Sequence, residues 1–279
     1  MQVITTVSDM AERARELRAS GKTIGLVPTM GYLHDGHLSL VRLARKENDV
    51  VMLSIFVNPA QFGPGEDLDR YPRDFDGDVQ KCRYEDVSIV FAPEPSDMYP
   101  EGFCTNVSVD KLSDLLCGAS RPGHFKGVAT VVAKLFGIVR PHRAYFGRKD
   151  YQQTIVIKRM ASDLNMDVEV LAGQTVREPD GLAMSSRNAY LVGNERMAAA
   201  KVYRALASAR GLREAGETRT DILISKVREV LKEEALIKVE YISLVDPDDL
   251  HALKDVSGKA VMAVAVRIGK TRLIDNMLI

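Results

Sequence analysis

The run Pro28-Thr29-Met30-Gly31-Tyr32-Leu33-His34-Asp35-Gly36-His37 sets two imidazoles three residues apart. Residues 23–27 before it read as a buried strand. Residues 37–47 after it read as a helix, with Leu40, Leu43 and Ala44 at helical spacing. A helix that opens at the carboxyl end of a strand offers free N–H groups and a positive dipole end to an anion. His34 and His37 fall on one side of that first turn. Gly36 between them lets a bulky ligand approach the backbone. Two imidazole donors aimed at a phosphate stabilise the charge that gathers on phosphorus oxygens during nucleotidyl transfer. The plainer alternative is a pair of surface histidines beside a turn, which the strand before and the helix after disfavour. A metal reading is weaker, because no third ligand stands at a recognisable spacing.

A second stretch, Met184-Ser185-Ser186-Arg187-Asn188, follows Asp180-Gly181. Two hydroxyls and a guanidinium on one loop suit phosphate oxygens. Ser-Ser-Arg is common in polar loops, so its weight comes from its occurrence with the histidine pair. Other phosphate signatures fail. The Gly-Lys-Thr triplets at 21–23 and 269–271 have Glu16 and Val264 where a P-loop needs its first Gly. GxGxxG, HExxH and GxSxG are absent, so dinucleotide, metalloprotease and hydrolase readings lack support.

Composition narrows the class further. The 279 residues carry 38 Lys+Arg against 38 Asp+Glu, a formal net charge of zero. A general nucleic-acid binder needs a basic excess to meet phosphates, so nucleic acid is not an expected partner. An aromatic content of 6% also speaks against an RNA surface. A small anionic substrate needs only a local positive site and stays open. Cys82, Cys104 and Cys117 form no CxxC pair and fit a reducing cytosol. The start, Met-Gln-Val-Ile-Thr-Thr, lacks a basic segment followed by an apolar run. No stretch approaches the roughly 18 apolar residues of a membrane span. A cytoplasmic protein without membrane contact is the expectation.

The elements that must position these residues alternate. Strands are predicted at 23–27, 50–57, 87–92, 145–146 and 168–171, with helices at 37–47, 74–84, 125–139 and 151–164. Strands 50–57 and 87–92 look buried on both faces, as in a parallel sheet. The alternation implies an α/β fold, a Rossmann-like doubly wound parallel sheet. After residue 175 the pattern changes to helices at 193–215 and 220–235, then strands at 239–245, 260–268 and 271–274. That predicts two domains, 1–175 and a smaller α+β domain at 176–279. Gly63-Pro64-Gly65-Glu66-Asp67 is the best candidate for a mobile surface loop. Residues 104–109 read as a buried strand that an interface could use.

HxGH early and a basic serine loop late resemble the class I aminoacyl-tRNA synthetase and nucleotidylyltransferase superfamily. Further stretches narrow the resemblance: Phe56-Val57-Asn58-Pro59-Ala60-Gln61-Phe62, Tyr71-Pro72-Arg73, Arg121-Pro122-Gly123-His124-Phe125-Lys126-Gly127-Val128 and Tyr145-Phe146-Gly147-Arg148-Lys149-Asp150-Tyr151-Gln152-Gln153. With Pro28 to Leu40 and Asp180 to Leu191, and in this order, the chain resembles the pantoate–β-alanine ligase family. The resemblance implies an AMP-forming ligase that takes ATP, D-pantoate and β-alanine, with Mg2+ as cofactor, a C-terminal lid domain and a homodimer. Pantoate carboxylate would attack the α-phosphate of ATP, and the β-alanine amine would then attack the pantoyl adenylate. No protein nucleophile takes part in this family, in keeping with the missing triad motifs.

Residue by residue, the resemblance makes His37, His34, Lys149 and Arg187 catalytic. It assigns ATP to Pro28, Thr29, Met30, His34, Gly36, His37, Gly147, Lys149, Asp150, Val176, Met184, Ser185, Ser186 and Arg187. It assigns pantoate to Gln61, Gln153 and Met30. A neutral amide donates to a carboxylate and accepts from a hydroxyl, whereas an Arg there would stabilise the ground state and blunt its attack. Tyr71, Arg121 and His124 fall in the β-alanine vicinity. Asp78 is a candidate Mg2+ contact, with most of the coordination from ATP phosphates, and it fits a helix-surface carboxylate equally well. Arg148 departs from the family pattern, which has Glu or Gln there, and adds a positive charge. The alternative is a nucleotidylyltransferase acting on a phosphorylated small molecule, which gives no reason for Gln61 and Gln153. A non-catalytic nucleotide sensor is disfavoured by the intact His34, His37 and Lys149.

Overall fold

The computed structural model describes residues 1–279. Strands β1 (Gln2–Ile4), β2 (Ile24–Thr29), β3 (Val50–Ile55), β4 (Ile89–Phe91), β5 (Arg143–Gly147) and β6 (Glu169–Gly173) form one sheet. All pairings in it are parallel, in the order β1-β4-β3-β2-β5-β6. Among these elements run helices α1 (Val7–Ala19), α2 (Asp35–Glu47), α3 (Phe75–Tyr84), the short α4 (Pro95–Met98) and α5 (Cys117–Ser120), α6 (His124–Val139) and α7 (Tyr151–Asp163). The sheet is the predicted doubly wound one. Its middle strands are apolar on both faces because helices cover both. Leu40, Val41 and Ala44 of α2 pack with Val27, Val51, Leu53, Val90 and Tyr145.

Helices α8 (Asn194–Glu214) and α9 (Thr220–Lys232) lead into an antiparallel sheet of β7 (Ile237–Val245), β8 (Val261–Ile268) and β9 (Thr271–Leu278). Leu206, Leu223, Val227, Leu231, Leu244, Met262, Val264 and Val266 make its core. The chain divides into two compact units. The first is Met1–Asp114, Gly118–Arg148 and Gln153–Gln174. The second is Thr175–Ile279 with two short insertions, Leu115–Cys117 and Lys149–Gln152. No helix is long and apolar enough to cross a membrane.

Three differences from the sequence reading have physical reasons. β1 and α1 were not predicted. β1 is three residues long, too short for a pattern, whereas α1 carries Val7, Met10, Ala14 and Leu17 at helical spacing, a narrow stripe among many charges that the sequence reading missed. β9 runs to Leu278, beyond the predicted 274, because polar Asp275 and Asn276 are buried within it. Residues 104–109 are not a strand. Cys104 to Asn106 are exposed, and the Val107 amide donates to the Thr130 hydroxyl at 2.9 Å. The alternation there satisfies strand propensity, but no sheet edge receives it. Both Gly-Lys-Thr triplets are turns: Gly21 (φ +76°) follows α1, and Gly269 (φ +56°) turns β8 into β9.

The start of α6 lies against the turn at Pro59–Gln61. A Cβ on Gly127 would stand 2.1 Å from the Ala60 carbonyl oxygen and 2.7 Å from the Gln61 Cα. Gly127→Ala is therefore expected to push that turn off the helix and to cost about 1–3 kcal/mol, the range for overpacking. Thermal unfolding checks this, and an unchanged Tm would contradict the close approach.

Candidate active site

From β2 the chain adds β3 and β4 on one side, while β5 and β6 lie on the other. The order reverses between β2 and β5, and a parallel sheet opens a ligand crevice at the carboxyl ends of such a pair. Pro28 and Thr29 end β2 there, and Gly147 ends β5. The Thr29 hydroxyl is engaged, donating to the Ser54 carbonyl at 2.7 Å and accepting from the Gly31 amide at 3.1 Å.

The chain then turns through two left-handed residues, Gly31 (φ +81°) and Tyr32 (φ +52°). Asp78 of α3 holds this turn. Its Oδ2 accepts from the Tyr32 amide at 2.6 Å and its Oδ1 from the Leu33 amide at 2.7 Å. The residue is 1% exposed. Burial pushes the carboxyl up, the two amides and Lys81 pull it down, and burial prevails. The sequence reading allowed Asp78 as a Mg2+ contact. In the structure each of its oxygens accepts one backbone amide at this turn. Nowhere does the chain gather three or more His, Cys, Asp or Glu as a metal group.

The histidine pair forms the cap of α2. His34 is the N-cap, and its Nδ1 accepts from the Gly36 amide at 3.1 Å. His37 Nδ1 accepts from the His34 amide at 3.3 Å. The ring centroids lie 4.0 Å apart. A nitrogen that accepts an amide hydrogen carries none itself, so each neutral ring holds its hydrogen on Nε2. Capping therefore sets the tautomer in which both rings are Nε2 donors.

Gln61 sits on the turn at Pro59–Gln61, capped by Asn58. Buried Asn58 donates through Nδ2 to Gln61 Oε1 at 3.0 Å and to the Gly127 carbonyl at 3.1 Å. Tyr99 Oη donates to Asn58 Oδ1 at 2.7 Å. Gln61 Nε2 approaches Met30 Sδ at 3.4 Å, so the structure brings Gln61 and Met30 together. Gln153 is half-buried in the first turn of α7.

Arg121 forks onto Glu66 with two contacts of 2.6 Å and donates to the Gln61 carbonyl at 3.3 Å. His124 donates from Nδ1 to the same carbonyl at 2.8 Å, so its Nε2 accepts from Arg121 Nη1 at 3.0 Å. Tyr71 is buried with its ring edge-on to Phe62. Glu66 was unassigned in the sequence. Its loop is tethered there by an ion pair, while Pro64 and Gly65 stay exposed.

The remaining candidates belong to the second unit. Lys149 and Asp150 stand in the turn at Arg148–Asp150, with Lys149 Nζ 3.4 Å from Asp150 Oδ1. The Met184 amide donates to the Val176 carbonyl at 3.0 Å. Ser185 caps the short helix Ser186–Tyr190, accepting from the Arg187 amide at 3.3 Å, and Ser186 is buried. Arg148, in the first unit, donates to Gln174 at 3.2 Å. Sequence reasoning passed over Asn58, Tyr99, Glu66, Arg177, Asp275 and Asn276. Each has a partner at least 41 residues away along the chain, which no local spacing announces.

The pantoate-beta-alanine ligase family model matches residues 2–278. A pantothenate synthetase of Caldicellulosiruptor saccharolyticus is 53% identical over 279 residues, covering 100% of this chain and 99% of that protein. One from a Roseiflexus species is 55% identical over the same length and coverage. The crystal structure of pantothenate synthetase from Thermus thermophilus superposes with a TM-score of 0.95 at 46% identity, covering 99% of each chain. A pantoate-beta-alanine ligase from Francisella tularensis, complexed with beta-gamma ATP and beta-alanine, gives a TM-score of 0.82 at 35% identity. It covers 100% of this chain and 97% of that one.

Two outcomes follow from these contacts. Asp78→Ala strands two amides and is expected to destabilise by about 1–3 kcal/mol for each, read by urea unfolding. For Glu66, burial pushes the carboxyl up, but the Arg121 fork and the Gly63 amide hold it below its usual value. A depressed folded value means stability that is present above the unfolded carboxylate range and lost as pH falls through the folded value. Glu66→Gln should therefore be less stable than the parent at neutral pH, and the gap should close on acidification. A gap that does not change with pH would rule out the ion pair as its source.

Proposed function

The chain belongs to the pantoate-beta-alanine ligase family, and from that premise we propose that it joins D-pantoate to β-alanine with ATP, through a pantoyl adenylate. The observation that carries the assignment of roles is the histidine pair, whose Nδ1 atoms are tied to backbone amides. Both Nε2–H groups are thereby preset as donors at the helix N-terminus.

In the first step a pantoate carboxylate oxygen attacks the α-phosphorus of ATP. The bond to the bridging oxygen breaks, and pyrophosphate leaves. Charge gathers on the α-phosphate oxygens, where His34 and His37 donate. Lys149 and Arg187 supply positive charge to the same nucleotide, and Ser185 and Ser186 donate to its outer phosphates. Pro28, Thr29, Met30, Gly36, Val176 and Met184 shape its pocket, and Gly147 and Asp150 take the ribose. Gln61 and Gln153 hold pantoate beside Met30. In the second step the β-alanine nitrogen attacks the acyl carbon, the C–O bond to AMP breaks, and the nitrogen gives up a proton. Tyr71, Arg121 and His124 border the β-alanine side. Arg121, already forked onto Glu66, acts there by holding the Gln61 carbonyl.

Mg2+ would neutralise charge on the ATP phosphates, which would supply most of its ligands, with Asp78 as the candidate protein contact, since the chain gathers no group of three or more His, Cys, Asp or Glu. A homodimer and a cytoplasmic setting belong to the same reading, and family resemblance supports both.

The test is pyrophosphate release with ATP, Mg2+ and D-pantoate, with and without β-alanine. One equivalent without the amine, becoming continuous with AMP and pantothenate on its addition, is the expected result. Release that ignored pantoate and answered to a phosphorylated acceptor would point to a nucleotidylyltransferase. His37→Ala and Lys149→Ala should each lower kcat by about two to three orders of magnitude, the scale of losing one charge-stabilising donor. Near-normal turnover would remove that residue from the mechanism.

A further inference from the structure

We infer that Asn276, held by the ion pair of half-buried Arg177 with buried Asp275, is a positioning residue for Lys149. The inference rests on the role of Lys149 proposed above. Asn276 is buried on β9, and its Nδ2 donates to the Lys149 carbonyl at 2.8 Å. All of these residues belong to the second unit. That carbonyl lies in the turn Arg148–Asp150 just before α7, so its bond fixes where the Lys149 Cα, and hence its amine, begins.

Asn276 is itself fixed from behind. Its amide donates to Asp275 Oδ1 at 2.8 Å, and its carbonyl accepts from Arg177 Nη2 at 3.4 Å. Arg177 forks onto Asp275 at 2.6 and 3.0 Å. Asp275 is buried and Arg177 lies over the Tyr203 ring at 4.5 Å. The carboxylate is buried and the guanidinium is planar against the ring, which limits the positions the pair can take.

Arg177 also reaches the second phosphate-directed piece of this unit. Its Nη1 donates to the Gly181 carbonyl at 3.0 Å. Gly181 (φ +93°) turns the chain toward Met184 and Ser185, and a Cβ there would meet the Tyr203 ring at 2.1 Å. One guanidinium thus braces the strand that holds Lys149 and the turn that leads to Ser185-Ser186-Arg187. The reacting groups need placement to a fraction of an ångström, and a misplacement of about 1 Å can cost a hundredfold in rate. Pantoate is assigned to Gln61 and Gln153 in the first unit, so its binding should not depend on Asn276.

The experiment is a double-mutant cycle on the full chain, read as pantoate-dependent pyrophosphate release, with Tm measured for each variant. Asn276→Ala should lower kcat at least tenfold and leave the KM for pantoate within about twofold. In a Lys149→Ala background the same change should lower kcat no further, although Tm falls as before. Asn276→Asp keeps the volume and removes the donor, and it should behave likewise; it decides the matter if Asn276→Ala does not fold. Additive losses, or a KM effect without a kcat effect, would overturn the positioning role. Normal turnover of Lys149→Ala alone would instead overturn the role of the lysine.

Discussion

Asp78 grips two consecutive amides where the chain leaves β2, and the placement of His34 and His37 depends on that grip. Tyr32 sits there in a left-handed conformation that a side chain disfavours, so the turn needs an external hold. Helix α3 provides it twice. Asp78 meets the amides, and Lys81, one turn later, donates to the Leu33 carbonyl at 2.8 Å. An isolated buried carboxylate would be costly, and two short amide bonds and a cation at 3.8 Å offset part of its lost hydration. The histidines then close the helix on themselves, each ring taking one amide of the first turn.

The second unit uses the same device with different residues. Asp275 is buried, as Asp78 is, but its partner is a guanidinium that also reaches two backbone carbonyls. In both units a buried carboxylate orders backbone from which the proposed phosphate-binding side chains project. Such groups tolerate change poorly, because removing either partner of a buried pair leaves the other charge uncompensated. Positioning of this kind suits a reaction in which no protein nucleophile takes part and the protein supplies geometry and charge.

Much of the sheet was legible because β2, β3 and β4 are apolar on both faces and are punctuated by Gly, Asn-Pro or Pro. Parallel strands under helices on both sides must look that way. β1 escaped because a three-residue edge strand leaves no pattern, and α1 because its apolar stripe of Met10, Ala14 and Leu17 is narrow among its charges. Residues 104–109 misled because alternation reports propensity and says nothing of a pairing edge. At the site, HxGH, the glutamines and the Ser-Arg loop were readable as local runs. The side chains behind them were not. Asp78 acts 46 residues away from Tyr32, and Asn276 acts 127 residues away from Lys149. Asp78 read equally as a Mg2+ contact or a surface carboxylate of α3, and only the fold shows which amides it meets.

The orientation of Gln61 shows how such a distant contact determines what a readable residue can do. A glutamine amide offers an acceptor at one end and donors at the other, and a substrate carboxylate needs the donor end. The Gly127 carbonyl can only accept, so Asn58 turns Nδ2 to it and leaves Oδ1 to accept from the Tyr99 hydroxyl. Asn58 must then present Nδ2 to Gln61, and it binds Oε1. Gln61 is left with Nε2 toward Met30, the side assigned to pantoate. Arg121 and His124 meanwhile hold the Gln61 backbone carbonyl, so main chain and side chain are set independently. The group facing the proposed nucleophile is therefore neutral and donating, while Lys149 and Arg187 carry the cationic charge assigned to the phosphates. That division follows the reaction: negative charge leaves the pantoate carboxylate and collects on phosphorus oxygens. A cation at Gln61 would favour the charge before it moved, whereas a neutral donor orients the carboxylate and leaves it reactive.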